Sequence, residues 1–126
     1  MPEPEGWTVE DHLRGQPEES IALFRAVEAL VLACGPVEYS VSKTTITFKG
    51  SRRGFAGARP DHRGVVGYLD LMWPITGDPR IRSSSLFSRN LYANHFRVHS
   101  ADELDETFAD WVREAYAVGE GAHLTR

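Results

Sequence analysis

The spacing of apolar residues changes early in the chain, and this change limits the folds that the chain can adopt. From Ile21 to Cys34, apolar side chains recur every three or four residues, which is the spacing of one face of an α-helix. From Val37 to Phe48 they alternate with polar residues, as in a strand with one buried face. Strand patterns return in Val65–Trp73 and Phe96–Val98. The chain therefore combines helices with a β-sheet.

Capping residues predict further helices near both ends of the chain. Thr8 with Asp11 resembles a capping box and predicts a short N-terminal helix. Pro17 suits the first turn of the longer helix that carries the apolar stripe. Ser100 with Glu103 is a second capping box, and it predicts the start of a closing helix.

Turn residues divide the middle of the chain into short strands. Gly50–Gly54 and Pro60–Gly64 predict turns, so the strands around them should form an antiparallel meander. The segment 74–94 is rich in Gly, Pro, Ser and Arg. It predicts a long excursion with little regular structure.

These elements predict an α+β fold that is a two-layer sandwich. An antiparallel meander sheet of about four to five strands carries two N-terminal helices and one C-terminal helix on one face. We expect residues 1–126 to form a single domain with an ordered core from about residue 8 to about residue 118. Met1–Gly6 and the segment from Gly119 onward predict frayed tails.

Composition disfavours secreted and membrane-spanning proteins. Cys34 is the single cysteine, so an internal disulfide framework is excluded and a reducing compartment suits the chain. The stretch Pro2–Glu5 lacks the basic and apolar regions of a secretory signal. The longest purely apolar run, Ala29–Cys34, is far shorter than the roughly 20 residues that span a bilayer. The sequence predicts a cytoplasmic protein that does not bind a membrane.

Charge is sorted along the chain, although the net charge is only −4. Between Tyr39 and His99 there are ten Lys and Arg residues and three acids, whereas the segments on both sides are acidic. Because a local field depends on where the charges lie, this distribution predicts a cationic sheet beside acidic helices. We expect the sheet face turned away from the helices to bind an anionic ligand, either nucleic acid or a phosphorylated small molecule, without a cofactor or a metal.

Strand alternation and the basic turns select the residues of this predicted site. They are seven cations, one tyrosine and one histidine: Lys43, Lys49, Arg52, Arg53, Arg59, Tyr68, Arg80, His95 and Arg97. Guanidinium and ammonium groups pair with phosphate or carboxylate oxygens, and aromatic rings stack on bases. No catalytic residue is predicted, since no phosphate-loop or dinucleotide motif is present.

Two other functions remain open. The basic face could meet an acidic partner or the acidic helices of a second copy, as in a protein-interaction or homo-oligomerisation domain with no enzymatic activity. An enzyme would need a pocket that joins four side chains: Asp70, Tyr68, His95 and Arg97. The pair His95 and His99 cannot share a metal ion, because four residues of strand span about 13 Å and a zinc ligand lies only about 2 Å from its ion.

Short motifs of this chain are similar to those of a known family. In chain order they are Thr8–Leu13 with Gly15, Lys43, Phe48-Lys49, Phe55, Asp78-Pro79-Arg80, His95–Val98, Asp102 and Leu104-Asp105. From about Thr8 to Tyr116 the chain resembles a bacterial family of small domains of unknown function, found alone or at the end of larger proteins of predicted transport or nuclease-like function. The resemblance implies the same α+β fold. It implies no activity, so no catalytic role is carried over.

Overall fold

The structure is a computed structural model that describes residues 6–124. Its elements are α1 (Val9–Leu13), α2 (Glu18–Leu32), β1 (Glu38–Val41), β2 (Ile46–Lys49), β3 (Gly54–Asp61), β4 (Gly64–Leu71), β5 (Ile81–Ser88), β6 (Leu91–Val98) and α3 (Glu106–Gly119). A 3₁₀ turn precedes α3 and another follows it, at Ala101–Glu103 and Ala122–Leu124. Among residues 6–124, no helix has the length and apolar character needed to cross a bilayer. The predicted tail Met1–Gly6 lies, except for Gly6, outside the described residues.

Six strands form a single antiparallel sheet in the order β1-β2-β3-β4-β6-β5. Strands β1 to β4 form the predicted meander. Strand β5 lies at the outer edge of the sheet and pairs with β6, and β6 pairs with β4 on its other side. Helices α2 and α3 pack on β3 and β4, and α1 packs on β3. The fold is therefore the predicted α+β architecture, with six strands instead of four or five.

The prediction of little regular structure between residues 74 and 94 is wrong. Residues Ile81–Ser88 form β5, and β6 begins at Leu91. Because β5 is the edge strand, side chains of both its faces are exposed, as Ser85 and Leu86 show. The alternation that marks a strand with one buried face is therefore missing from this segment.

The second predicted capping box has a different role from the expected one. Ser100 and Glu103 do form a capping box, but it caps the 3₁₀ turn. Helix α3 begins later, at Glu106, where the Asp105 carboxylate accepts a hydrogen bond from the Phe108 amide at 2.9 Å. The chain past α3 is not a frayed tail throughout, since it makes a 3₁₀ turn before the described residues end.

The core lies between the helices and one face of the sheet. Phe24 of α2, Phe48 of β2 and Phe108 of α3 are fully buried there. The rings of Phe96 and Phe108 meet edge to face with their centroids 5.2 Å apart, which joins β6 to α3. Within residues 6–124 no helix covers the opposite face of the sheet, and it is the face that the sequence predicts to bind a ligand.

Candidate ligand-binding face

The sheet face opposite the helices, here called the open face, has two aromatic rings at its centre. Backbone pairing places Gly57 of β3, Tyr68 of β4 and His95 of β6 in one row. The Tyr68 ring lies across Gly57, where a Cβ atom would overlap Tyr68 Cε1. The ring centroids of Tyr68 and His95 are 6.1 Å apart. Glycine at position 57 therefore allows the tyrosine to lie flat against the sheet beside the histidine.

A pocket of about 380 Å³, here called the arginine pocket, lies on one side of this ring pair. Hydroxyl, guanidinium and aromatic groups line it: Thr44, Thr45, Arg59, Tyr68, Arg82 and His95. In the part of the chain that the structure describes, neither Arg59 nor Arg82 forms a salt bridge. Two guanidinium groups at this pocket therefore keep their donors available to an anion.

A second pocket of about 300 Å³, here called the Asp70 pocket, lies on the other side of the ring pair. Its lining combines an ion pair with aromatic rings: Arg53, Tyr68, Asp70, Phe87, Ala93 and His95. Arg53 Nη2 donates a hydrogen bond to Asp70 Oδ2 at 3.0 Å. Burial raises the pKa of Asp70 to about 6, although the charge of Arg53 opposes the rise. The pocket therefore holds a carboxyl group that ionises only near pH 6.

Burial also affects the tyrosine between the two pockets. It raises the pKa of Tyr68, and the negative charge of Asp70 acts in the same direction, while a hydrogen bond with Thr47 acts against it. Tyr68 is therefore a neutral hydroxyl and an aromatic surface at neutral pH, not a base.

Arg97 lies on the open face but is already paired. It donates two hydrogen bonds to the Asp61 carboxylate, at 3.1 and 2.6 Å. These bonds are the main reason why the pKa of Asp61 is lowered to about 2, and the charge of Arg59 adds to the effect. The Arg97 side chain is only 11% exposed. Its charge is largely neutralised within the protein.

Arg80 lies away from the open face, between the loop before β5 and the start of α3. Its guanidinium donates to the Asp78 carboxylate at 2.9 and 2.8 Å, to the Glu103 carbonyl at 2.6 Å and to Asp105 at 2.8 Å. It also lies 4.7 Å from the centroid of the Trp111 ring. These contacts stabilise the fold, and the structure does not bring Arg80 to the predicted site.

The structure does not bring the other predicted cations, Lys43, Lys49 and Arg52, to the two central pockets. Lys43 lines a pocket of about 420 Å³ that adjoins the arginine pocket. Lys49 lines a different pocket beside Glu120, and the Arg52 amide donates to the Gly119 carbonyl at 2.9 Å, so both lie near the end of α3. Four of the nine predicted residues line the two central pockets: Arg53, Arg59, Tyr68 and His95.

Two pocket residues, Arg82 and Phe87, were missed because both lie on β5, the segment predicted to lack regular structure. The turn residues Arg89 and Asn90 separate two runs that pair as a hairpin. In a sequence, a two-residue hairpin turn is marked by Gly-containing pairs such as Asn-Gly, between runs rich in β-branched and aromatic residues. Arg89-Asn90 is not such a pair, and four of the eight residues of β5 are serines, so the sequence carries no clear hairpin signal here.

The enzyme alternative required four side chains in one pocket. Asp70, Tyr68 and His95 do line one pocket, but Arg97 does not, and Arg53 takes the place expected for it. Across residues 6–124, no group of three or more His, Cys, Asp or Glu side chains is placed to hold a metal ion. The two central pockets of the open face therefore present guanidinium, hydroxyl and aromatic groups.

A family match covers all three helices and the whole sheet. No curated protein and no solved structure matches the chain. A family model matches residues 9–119, from the start of α1 to the end of α3. This match confirms the resemblance to a family of domains of unknown function. The chain belongs to the family described as Domain of unknown function (DUF5655).

Proposed function

We propose that the chain is a binding module for a phosphate-bearing ligand, which Arg59 and Arg82 hold in the arginine pocket. One observation carries the proposal. The acids of the central open face form salt bridges with other arginines, whereas neither of these two guanidinium groups forms a salt bridge among residues 6–124. We expect the protein to act in the cytoplasm, where its free Cys34 stays reduced.

The groups around the two arginines suit a phosphate better than a carboxylate. A phosphoryl group presents more oxygen atoms than a carboxylate does, and it carries more negative charge. Two guanidinium groups can donate to it in bidentate fashion. The hydroxyl groups of Thr44 and Thr45 line the same pocket and can donate to a further oxygen.

Calorimetric titration with pyrophosphate tests the proposal. Arg59→Gln combined with Arg82→Gln should weaken binding at least about a hundredfold. Each lost hydrogen bond to a charged group contributes about 1.5–3 kcal/mol, and about 1.4 kcal/mol is a factor of ten. Binding by the unaltered protein should also weaken with added NaCl.

A charge-matched variant is the control for this titration. Arg63→Gln combined with Arg89→Gln removes the same charge from two exposed turn residues that do not line the arginine pocket. This control should bind pyrophosphate like the unaltered protein. Equal losses in the two double variants would mean that only the net charge matters, and the proposed pocket would be refuted.

A protein-interaction role is the second candidate, and the free edge of the sheet favours it. On β5, Leu86 is 58% exposed and Phe87 is 48% exposed, and the outer side of this strand has no β-partner within residues 6–124. Light scattering during size exclusion at low and high salt distinguishes the two functions. A salt-dependent dimer that does not bind pyrophosphate would favour protein interaction over phosphate binding.

A further inference from the structure

We propose that the Asp70 pocket binds the base of a nucleotide whose phosphate occupies the arginine pocket. This inference rests on the proposed phosphate binding. The two pockets share a wall formed by Tyr68 and His95. Val66 lines the arginine pocket and Asp70 lines the Asp70 pocket. The two residues are four positions apart on β4, which corresponds to about 13 Å at 3.3 Å per residue. A single small ligand with two chemically different ends can therefore occupy both pockets.

The two pockets differ in charge, which assigns the two ends of the ligand. Arg59 and Arg82 make the arginine pocket positive, whereas Arg53 and Asp70 compensate each other in an ion pair with N···O 3.0 Å. A second phosphate in the Asp70 pocket would face a carboxylate. An uncharged ring with polar edges meets no such repulsion, so it fits this pocket better.

The ion pair presents a hydrogen-bond donor beside an acceptor. Arg53 Nε donates to the Gly54 carbonyl at 2.8 Å, and Nη2 donates to Asp70 Oδ2. Among the described residues, Arg53 Nη1 and Asp70 Oδ1 make no hydrogen bond. A nucleobase edge also carries a donor next to an acceptor, and proteins read unpaired bases through such edges. The two sets of groups are complementary.

An exposed ring provides a surface for stacking. Residue Phe87 is 48% exposed, and the centroid of its ring lies 5.3 Å from the guanidinium carbon of Arg53. Stacking of a base on an aromatic side chain contributes about 1–3 kcal/mol. A base in the Asp70 pocket would cover this apolar ring and bring it out of water.

Titration of four 5′-mononucleotides and of ribose 5-phosphate, which lacks a base, tests the inference. At least one mononucleotide should bind about tenfold more tightly than ribose 5-phosphate, which matches about 1.4 kcal/mol of stacking and hydrogen bonding. Phe87→Ala removes the stacking surface, so it should weaken the binding of that mononucleotide toward the affinity of ribose 5-phosphate and leave ribose 5-phosphate unchanged. Leu86→Ala, an exposed neighbour outside the pocket, is the control and should change neither affinity.

The outcomes separate the base pocket from the phosphate site. Equal affinity for ribose 5-phosphate and all four mononucleotides would overturn the base pocket and leave the proposed function standing. A Phe87→Ala variant that loses both ligands equally would also overturn the base pocket. The double variant Arg59→Gln with Arg82→Gln tests the phosphate site. If it still binds the nucleotide and ribose 5-phosphate, both the phosphate site and the base pocket are refuted.

Discussion

Replacing Asp70 by Asn should change how the stability of the protein depends on pH. Burial raises the pKa of Asp70 from its ordinary value of 3.8 to about 6. Between these two values the folded protein holds a proton that the unfolded chain has lost. The stabilising effect is therefore complete below about pH 3.8 and is lost as the pH rises through about 6. Asparagine cannot ionise, so the variant lacks this dependence.

The expected magnitude follows from the two pKa values. A difference of about two units corresponds to about 3 kcal/mol in total. Between about pH 4.5 and about pH 7.5, integration of the linkage relation assigns about 2 kcal/mol to this carboxyl group. The free energy of unfolding of the unaltered protein, minus that of Asp70→Asn, should fall by this amount over the interval. The variant also loses the ion pair with Arg53. A loss of unfolding free energy that is the same at every pH does not affect this change.

Urea unfolding followed by tryptophan fluorescence at several pH values measures the difference. Asp61→Asn is the control, because the pKa of Asp61 is lowered to about 2. Its stabilisation is present above pH 3.8 and is lost only as the pH falls toward 2, so its difference from the unaltered protein should stay flat. A flat difference for Asp70→Asn would refute the role of burial. A rising difference would mean that Arg53 outweighs burial.

Two further predictions concern residues that stabilise the fold. Arg80→Ala should lower the free energy of unfolding by about 1.5–3 kcal/mol, because it removes charged hydrogen bonds to the Asp78 carboxylate and the Glu103 carbonyl. Arg89→Ala should change it by less than about 0.5 kcal/mol. Urea titration checks both, and unchanged stability of Arg80→Ala would contradict the structural role. Asn94→Ala should cost about 2–3 kcal/mol, since fully buried Asn94 accepts from the Ile75 amide at 2.9 Å and donates to the Trp73 carbonyl at 3.2 Å. A loss below about 1 kcal/mol in thermal unfolding would contradict this account.

Helices and strands that bury one face could be predicted from the sequence. Strand β5, which buries neither face, could not. Helix α2 and strand β2 repeat apolar residues at the period of their own geometry, so their sequences show the buried side. Strand β5 lies beyond the helices at the sheet edge, and neither of its faces is consistently apolar. Its place beside β6 depends on pairing with a distant segment, and for that reason Arg82 and Phe87 were not assigned to the open face.

The sequence alone indicates the α+β class, the core side of β2, β4 and β6, and the concentration of positive charge in the strand-forming middle of the chain. These properties follow from periodic patterns and from composition, which any stretch of chain displays without its neighbours. Which cations stay available to a ligand depends instead on the tertiary structure. Arg97 is paired with Asp61 and Arg80 with Asp78, whereas Arg59 makes no salt bridge within residues 6–124. Ion pairing depends on distances of a few ångströms between side chains, and strand register and loop paths set those distances.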